Sequence, residues 1–128
     1  MRPASKTLTP HELEIMKVVW ERETTTVRDV YEALLAQRRI AYTSVMTMMN
    51  VLERKGHLRK RAAEGRTFVY EPTRSKHDVL GSLVRDFVSR VFDGSAEPLL
   101  VHLVEEKHVS DTDLQSLARR IRRARDDR

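Results

Sequence analysis

Residues 42–71 read YTSVMTMMNVLERKGHLRKRAAEGRTFVYE, and their pattern changes half-way along. Up to Gly56, the apolar residues Val45, Met48, Met49 and Leu52 recur at helical spacing. Gly56 then follows Arg54 and Lys55 as a C′ glycine behind two cations that suit the negative end of a helix. Beyond it, residues 57–61 and 67–71 have strand character, carried by Leu58 and by Phe68, Val69 and Tyr70. Between them lie Ala62, Ala63, Glu64, Gly65 and Arg66, with Gly65 available for a positive φ, and Pro72 closes the second strand. The reading is a helix that runs into a hairpin. Outside its apolar stripe, the helix carries Thr43, Ser44, Met46, Thr47, Asn50 and Arg54, mostly short hydrogen-bonding side chains that let its backbone approach another surface closely.

Working toward the N-terminus, two more helices are expected. Thr9 as N-cap, Pro10 at N1 and Glu12 at N3 form a capping box, with Leu8 and Leu13 placed as a hydrophobic staple. Leu13, Met16, Val19 and Trp20 supply the stripe of this first helix, which ends around residues 21–23. Thr24, Thr25 and Thr26 are a β-branched triplet suited to a short strand before Thr26 caps the next helix, with Asp29 three residues on. Val27, Val30, Tyr31, Leu34 and Leu35 form that second helix's apolar face.

Toward the C-terminus, the polar run 73–76 marks a domain boundary, and three helices follow. Ser75 and Asp78 cap the first, which bears Val79, Leu80, Leu83, Val84, Phe87, Val88, Val91 and Phe92. Asp93 and Gly94 break it; Ser95, Glu97 and Pro98 open the next, with Leu99, Leu100, Leu103 and Val104. Ser110 to Asp113 cap the last, with Leu114, Leu117 and Ile121. Such stripes on about fifty residues without a sheet are hard to hide in a free monomer, so pairing with a second copy is expected to cover them.

Charge is distributed unevenly over the 128 residues. Residues 1–37 hold five basic and six acidic residues, 38–66 hold eight and two, 67–74 one of each, and 75–128 ten of each. The excess of cations over the whole chain therefore sits in the third helix and hairpin, the layout of a polyanion-binding module joined to an assembly module. The chain has no cysteine, which excludes disulfides, thiolate metal sites and a cysteine nucleophile. His11, His57, His77, His102 and His108 never pair at i+3 or i+4, and no Gly-rich phosphate loop or nucleophile elbow occurs, so neither an enzyme nor a metal or other cofactor is expected. The N-terminus has no apolar leader and no run is long enough for a membrane span, so a soluble cytoplasmic protein with no membrane partner is expected.

Three helices and then a cationic hairpin make the arrangement of a winged helix-turn-helix. The expected fold class is mainly α with a small β-hairpin: an N-terminal winged helix-turn-helix DNA-binding domain over residues 1–74 and a C-terminal three-helix dimerisation domain over 75–128. In that geometry the third helix enters the major groove, and the hairpin rides on the neighbouring phosphates. Tyr42, Thr43, Ser44, Met46, Thr47, Asn50 and Arg54 are the candidates on the recognition helix, and Arg59, Lys60, Arg61 and Arg66 the phosphate contacts of the wing. Thr43 and Ser44 are read equally well as N-caps alone, and Asn50 as a merely solvated residue. The dimer contacts are expected from Leu80, Leu83, Val84, Phe87, Val88, Val91, Leu99, Leu100, Leu103, Leu117 and Ile121. The alternative is a winged-helix protein-interaction module without specific DNA binding.

Five stretches carry a family likeness: LTPHELEIMKVVWE, TTTVRDVYEALL, IAYTSVMTMMNVLERKGHLRKR, GRTFVYEP and FDGSAEPLLVHLVEEKHVSDTDLQSLARRI. Together they resemble the penicillinase-repressor family, the BlaI, MecI and CopY type of bacterial transcriptional repressor, over nearly the whole chain. The resemblance implies a homodimer that binds a palindromic double-stranded DNA operator and represses β-lactam-resistance or related genes, and it implies a sensor protease as a further partner. Copper-responsive members carry a C-terminal cysteine pair, which this chain lacks, so release by thiolate-bound copper is not available to it. The Asn-Phe bond cut in β-lactam-responsive members falls on His102 and Leu103 here, so the residues at the cleavage position differ.

Overall fold

The computed structural model describes residues 7–127; residues 1–6 and Arg128, the ends of the two expected domains, lie outside the described residues. The elements run α1 (Pro10–Arg22), α2 (Val27–Leu35), α3 (Tyr42–Arg54), β1 (Leu58–Ala62), β2 (Phe68–Pro72), α4 (Lys76–Val91), α5 (Glu97–Glu105) and α6 (Asp111–Asp126). They form two compact units that divide between Gly81 and Ser82, inside α4 and past the polar run 73–76.

Local chemistry sets the helix starts. Thr9 Oγ1 accepts from Glu12 N at 3.2 Å and Glu12 Oε1 accepts from Thr9 N at 2.9 Å, closing both halves of the capping box. Thr26 Oγ1 accepts from Asp29 N at 3.1 Å and starts α2. In the first unit the core is built from Ile15, Met16 and Val19 of α1, Val30 and Leu34 of α2, Val45, Met49 and Leu52 of α3, Leu58 of β1 and Tyr70 of β2, closed by Leu8 and Val79. On α1 the buried arc is centred differently from the expected stripe: Ile15 is fully buried, whereas Leu13 and Trp20 are half-buried. The reason is that α2, α3 and β2 all pack on this one helix, so its covered arc is wider than a single stripe and takes in Glu12 as well.

β1 and β2 form an antiparallel pair with Leu58 opposite Pro72, Lys60 opposite Tyr70 and Ala62 opposite Phe68. Each strand lies one residue later than its sequence pattern suggests. Gly65 takes φ +75° in the connecting turn and Gly56 φ +87° after α3, the two left-handed positions expected of them. The threonine triplet forms no strand of its own. Thr25 instead makes an isolated bridge to β2, with Thr25 N to Tyr70 O at 3.1 Å and Tyr70 N to Thr25 O at 2.8 Å. Trp20 Nε1 donates to Arg74 O at 3.1 Å, tying the end of α1 to the segment after β2.

In the second unit, the capping box of Ser110 and Asp113 opens α6. Ser95 does not cap α5: Ala96 stands at the N-cap without a side-chain bond, and Pro98 supplies the fixed φ of the first turn. Among the described residues of this unit no side chain is fully buried. Phe87 and Phe92 meet edge-to-face at 5.8 Å, and Phe92 lies 6.1 Å from the His102 ring.

Candidate nucleic-acid interface

α3 begins without a capping side chain. Ala41 is its N-cap and makes no side-chain bond, while Ser44 N and Val45 N both turn back to Ala41 O at 3.1 and 3.2 Å. Thr43 and Ser44, equally readable as caps, do not cap; both are exposed, and neither hydroxyl finds a protein partner among the described residues. The amides of Tyr42 and Thr43, ahead of these two, are therefore open to an incoming acceptor at the positive end of the helix.

Helical spacing sorts the candidates further. Thr43, Thr47, Asn50 and Arg54 follow i, i+4, i+7 and i+11 along one exposed line, opposite the buried Val45, Met49 and Leu52. Tyr42 and Met46 form the neighbouring exposed row, and the Tyr42 ring is held edge-on by Tyr31 of α2 at 5.4 Å. Ser44 stands on the other flank. Asn50 is not simply solvated: its Oδ1 accepts a hydrogen bond from the Tyr70 hydroxyl at 3.3 Å.

The wing cations do not form one group. Residues opposite each other in an antiparallel pair share a face, so Arg59 and Arg61 lie with Glu71 and Val69 on one side of the hairpin, and Lys60 lies with Tyr70 on the other. Arg61 Nε bonds to Glu71 Oε1, and Arg59 Nη2 stands 4.0 Å from Glu71 Oε2. The Arg61 hydrogen bond, helped by the charges of both arginines, holds the Glu71 carboxyl below the usual carboxylate range. Lys60 Nζ sits 4.2 Å from the centre of the Phe68 ring and 5.9 Å from that of Tyr70, a cation–π contact across the strand pair. Arg66 is exposed in the turn between the strands.

Glu71, Phe68 and Tyr70 are the residues that sequence reasoning passed over. The missing signal is strand register, because only the pairing shows which cation meets which neighbour.

In the C-terminal helices, the residues proposed for the dimer contact are poorly covered by the chain itself. Val84, Phe87, Val91, Leu100, Leu117 and Ile121 are exposed, joined by Val101, Val104 and Leu114; Leu80, Leu83, Val88, Leu99 and Leu103 are half-buried. His102 and Leu103 lie inside α5, with His102 exposed. No helix among the described residues is long and apolar enough to cross a membrane, and no three His, Asp or Glu side chains of those residues converge as a metal site.

Comparison with known proteins gives consistent relatives for this geometry. The Penicillinase repressor family matches residues 8–123. The transcriptional regulator BlaI of Mycobacterium tuberculosis is 36% identical over 104 residues, spanning 80% of this chain and 75% of that protein. The penicillinase repressor of Bacillus licheniformis is 27% identical over 106 residues, 83% of this chain and 82% of the other. The methicillin resistance regulatory protein MecI of Staphylococcus aureus is 21% identical over 106 residues, 83% of this chain and 85% of the other. Among solved structures, the solution structure of the DNA binding domain of the repressor BlaI superposes with a TM-score of 0.51 at 32% identity, covering 57% of this chain and 88% of that one. A family match that runs from Leu8 at the start of the core into the last helix makes this chain a member of the penicillinase-repressor family.

Proposed function

We propose that the chain is a transcriptional repressor that works as a homodimer, each copy laying α3 in the major groove of one half of a palindromic operator while its hairpin rests on the flanking phosphates. One observation carries this reading: the exposed line Thr43, Thr47, Asn50 and Arg54, at an uncapped helix start, adjoins a hairpin bearing Arg59, Lys60, Arg61 and Arg66. Short polar side chains there let the backbone come close to base edges, and the hairpin cations neutralise phosphate. The regulatory names borne by the mycobacterial, bacillar and staphylococcal relatives support β-lactam-resistance or related genes as the targets.

Residues 1–74 serve DNA binding and 75–128 dimerisation, the latter through the exposed apolar faces of α4, α5 and α6. The protein acts in the cytoplasm, where its operator is. The cleavage position of the β-lactam-responsive members falls on His102–Leu103, which is not an Asn-Phe bond and lies within α5, so a sensor protease acting there would need a different recognition sequence and the helix to open first.

Selection of bound sequences from random duplexes, followed by titration of salt, tests this reading. An inverted repeat is expected, with log K falling against log salt by about 0.9 per phosphate neutralised. No retention of any duplex at low salt overturns it, and salt-insensitive capture of protein would favour the interaction-module alternative.

A further inference from the structure

Asn50 stands on the exposed line of α3, but its carboxamide oxygen is already engaged. The donor, Tyr70, is 3% exposed and is fixed from two sides: its backbone N–H and C=O both bond to Thr25, and it pairs with Lys60 across the hairpin. A ring held this rigidly presents its hydroxyl at a set point, so the contact with Asn50 orients the amide. With Oδ1 turned inward onto the phenol, the outward edge of Asn50 is its NH2 group, which can only donate.

We propose that Tyr70 is a positioning residue for base selection: by occupying Asn50 Oδ1 it makes Asn50 a reader of base acceptors. An unconstrained asparagine pairs bidentately with adenine, accepting from N6 and donating to N7. Here the accepting half of that pair is turned onto the phenol and away from the exposed line. Asn50 is then matched to guanine N7 or O6 or to thymine O4, keeps only a single bond to adenine N7 without its N6 partner, and is mismatched to the N4 amino group of cytosine. This rests on the duplex-reading role of α3 proposed above. Its content is which base edge α3 selects and which hairpin residue sets the choice.

The experiment is selection from random duplexes with the full-length protein, comparing wild type with Asn50→Ala, Tyr70→Phe, the double variant and Asn50→Asp. Asn50→Ala marks the base position read by this side chain, where guanine or thymine is expected in the wild type. Tyr70→Phe frees Oδ1 and is expected to move preference at that one position toward adenine by roughly tenfold, the scale of one base contact. In the Asn50→Ala background, Tyr70→Phe is expected to change no preference at all. Asn50→Asp, on an exposed helix face, keeps an acceptor for Tyr70 but removes the donors, and is expected to turn the preference toward cytosine; if Tyr70→Phe fails to fold, the wild-type base at the marked position carries the test, guanine or thymine supporting the proposal and adenine overturning it.

Unchanged preference in a folded Tyr70→Phe, or in Asn50→Asp, overturns the proposal, as does an equal change at every position or no position marked by Asn50→Ala. Failure of the wild type to select any sequence sinks the repressor reading itself and is thereby distinguished.

Discussion

At the scale of single residues, Glu12 does two jobs. Its Oε1 closes the capping box at Thr9 N and also takes Lys55 Nζ at 2.7 Å, while Lys55 donates to Thr7 O at 3.2 Å. With side chains 5% and 11% exposed, the pair joins the start of α1 to the end of α3 with little access for solvent. Burial pushes the Glu12 carboxyl upward, but the hydrogen bonds from Lys55 and from the Thr9 backbone outweigh it and hold the group below its ordinary value of 4.5. A carboxyl depressed in the folded state contributes stability that is complete above that ordinary value and is lost as pH falls through the lower, folded one. Chemical unfolding followed at several pH values should therefore show an acid limb below about pH 4.5, and Glu12→Gln should flatten it. Glu12→Ala, which removes the cap and strands Lys55, should cost about 2–4 kcal/mol in urea unfolding.

Glu71 plays a different part, as an anion between Arg59 and Arg61 that a phosphate bound as proposed would have to displace. Glu71→Gln is expected to tighten binding to cognate and scrambled duplexes alike, several-fold in a low-salt gel-shift titration. A gain confined to the cognate site would remove Glu71 from that role.

At the scale of elements, the proposed function assigns reading to α3 and gripping to the hairpin. Thr47→Ala is expected to alter preference among sequences, whereas Arg66→Ala should weaken all duplexes equally and lower the salt slope by about 0.9. Arg61→Ala should have the smaller effect of the two arginine changes, since Glu71 already engages that guanidinium.

The same elements show how far the sequence could be read. α1, α2 and α6 announced themselves because their caps are local: Thr9, Thr26 and Ser110 each bond to an amide three residues on. Gly56 and Gly65 likewise marked turns that only their own backbone angles required. The start of α3 stayed open in the sequence, since Thr43 and Ser44 have the chemistry of caps but the cap position falls on Ala41. What stayed hidden depends on pairing across distance. The Asn50–Tyr70 bond spans twenty residues, and the Arg61–Glu71 pair exists only in one register of the hairpin. Periodicity marks which face of a strand is apolar, but it does not set the partner opposite.

At the scale of the whole molecule, the uneven burial of the chain is the governing feature. The first unit closes a core from five elements, while the second leaves Val84, Phe87, Val91, Leu100 and Ile121 exposed. Each such side chain, once covered, contributes about 1.5–3 kcal/mol. Leu83→Asp combined with Phe87→Asp is therefore expected to give monomers in sedimentation, with affinity for an inverted repeat lowered about a hundredfold or more, because the second half-site is no longer held in reach. An unchanged dimer would move the interface to other residues.

If the exposed faces of α4, α5 and α6 close on a second copy, as proposed, they also tie the amount of competent repressor to chain abundance. In the dilute regime the paired species grows as the square of the number of chains synthesised. Genes under its control would then answer a modest fall in translation, or dilution by cell growth, with a disproportionately large release.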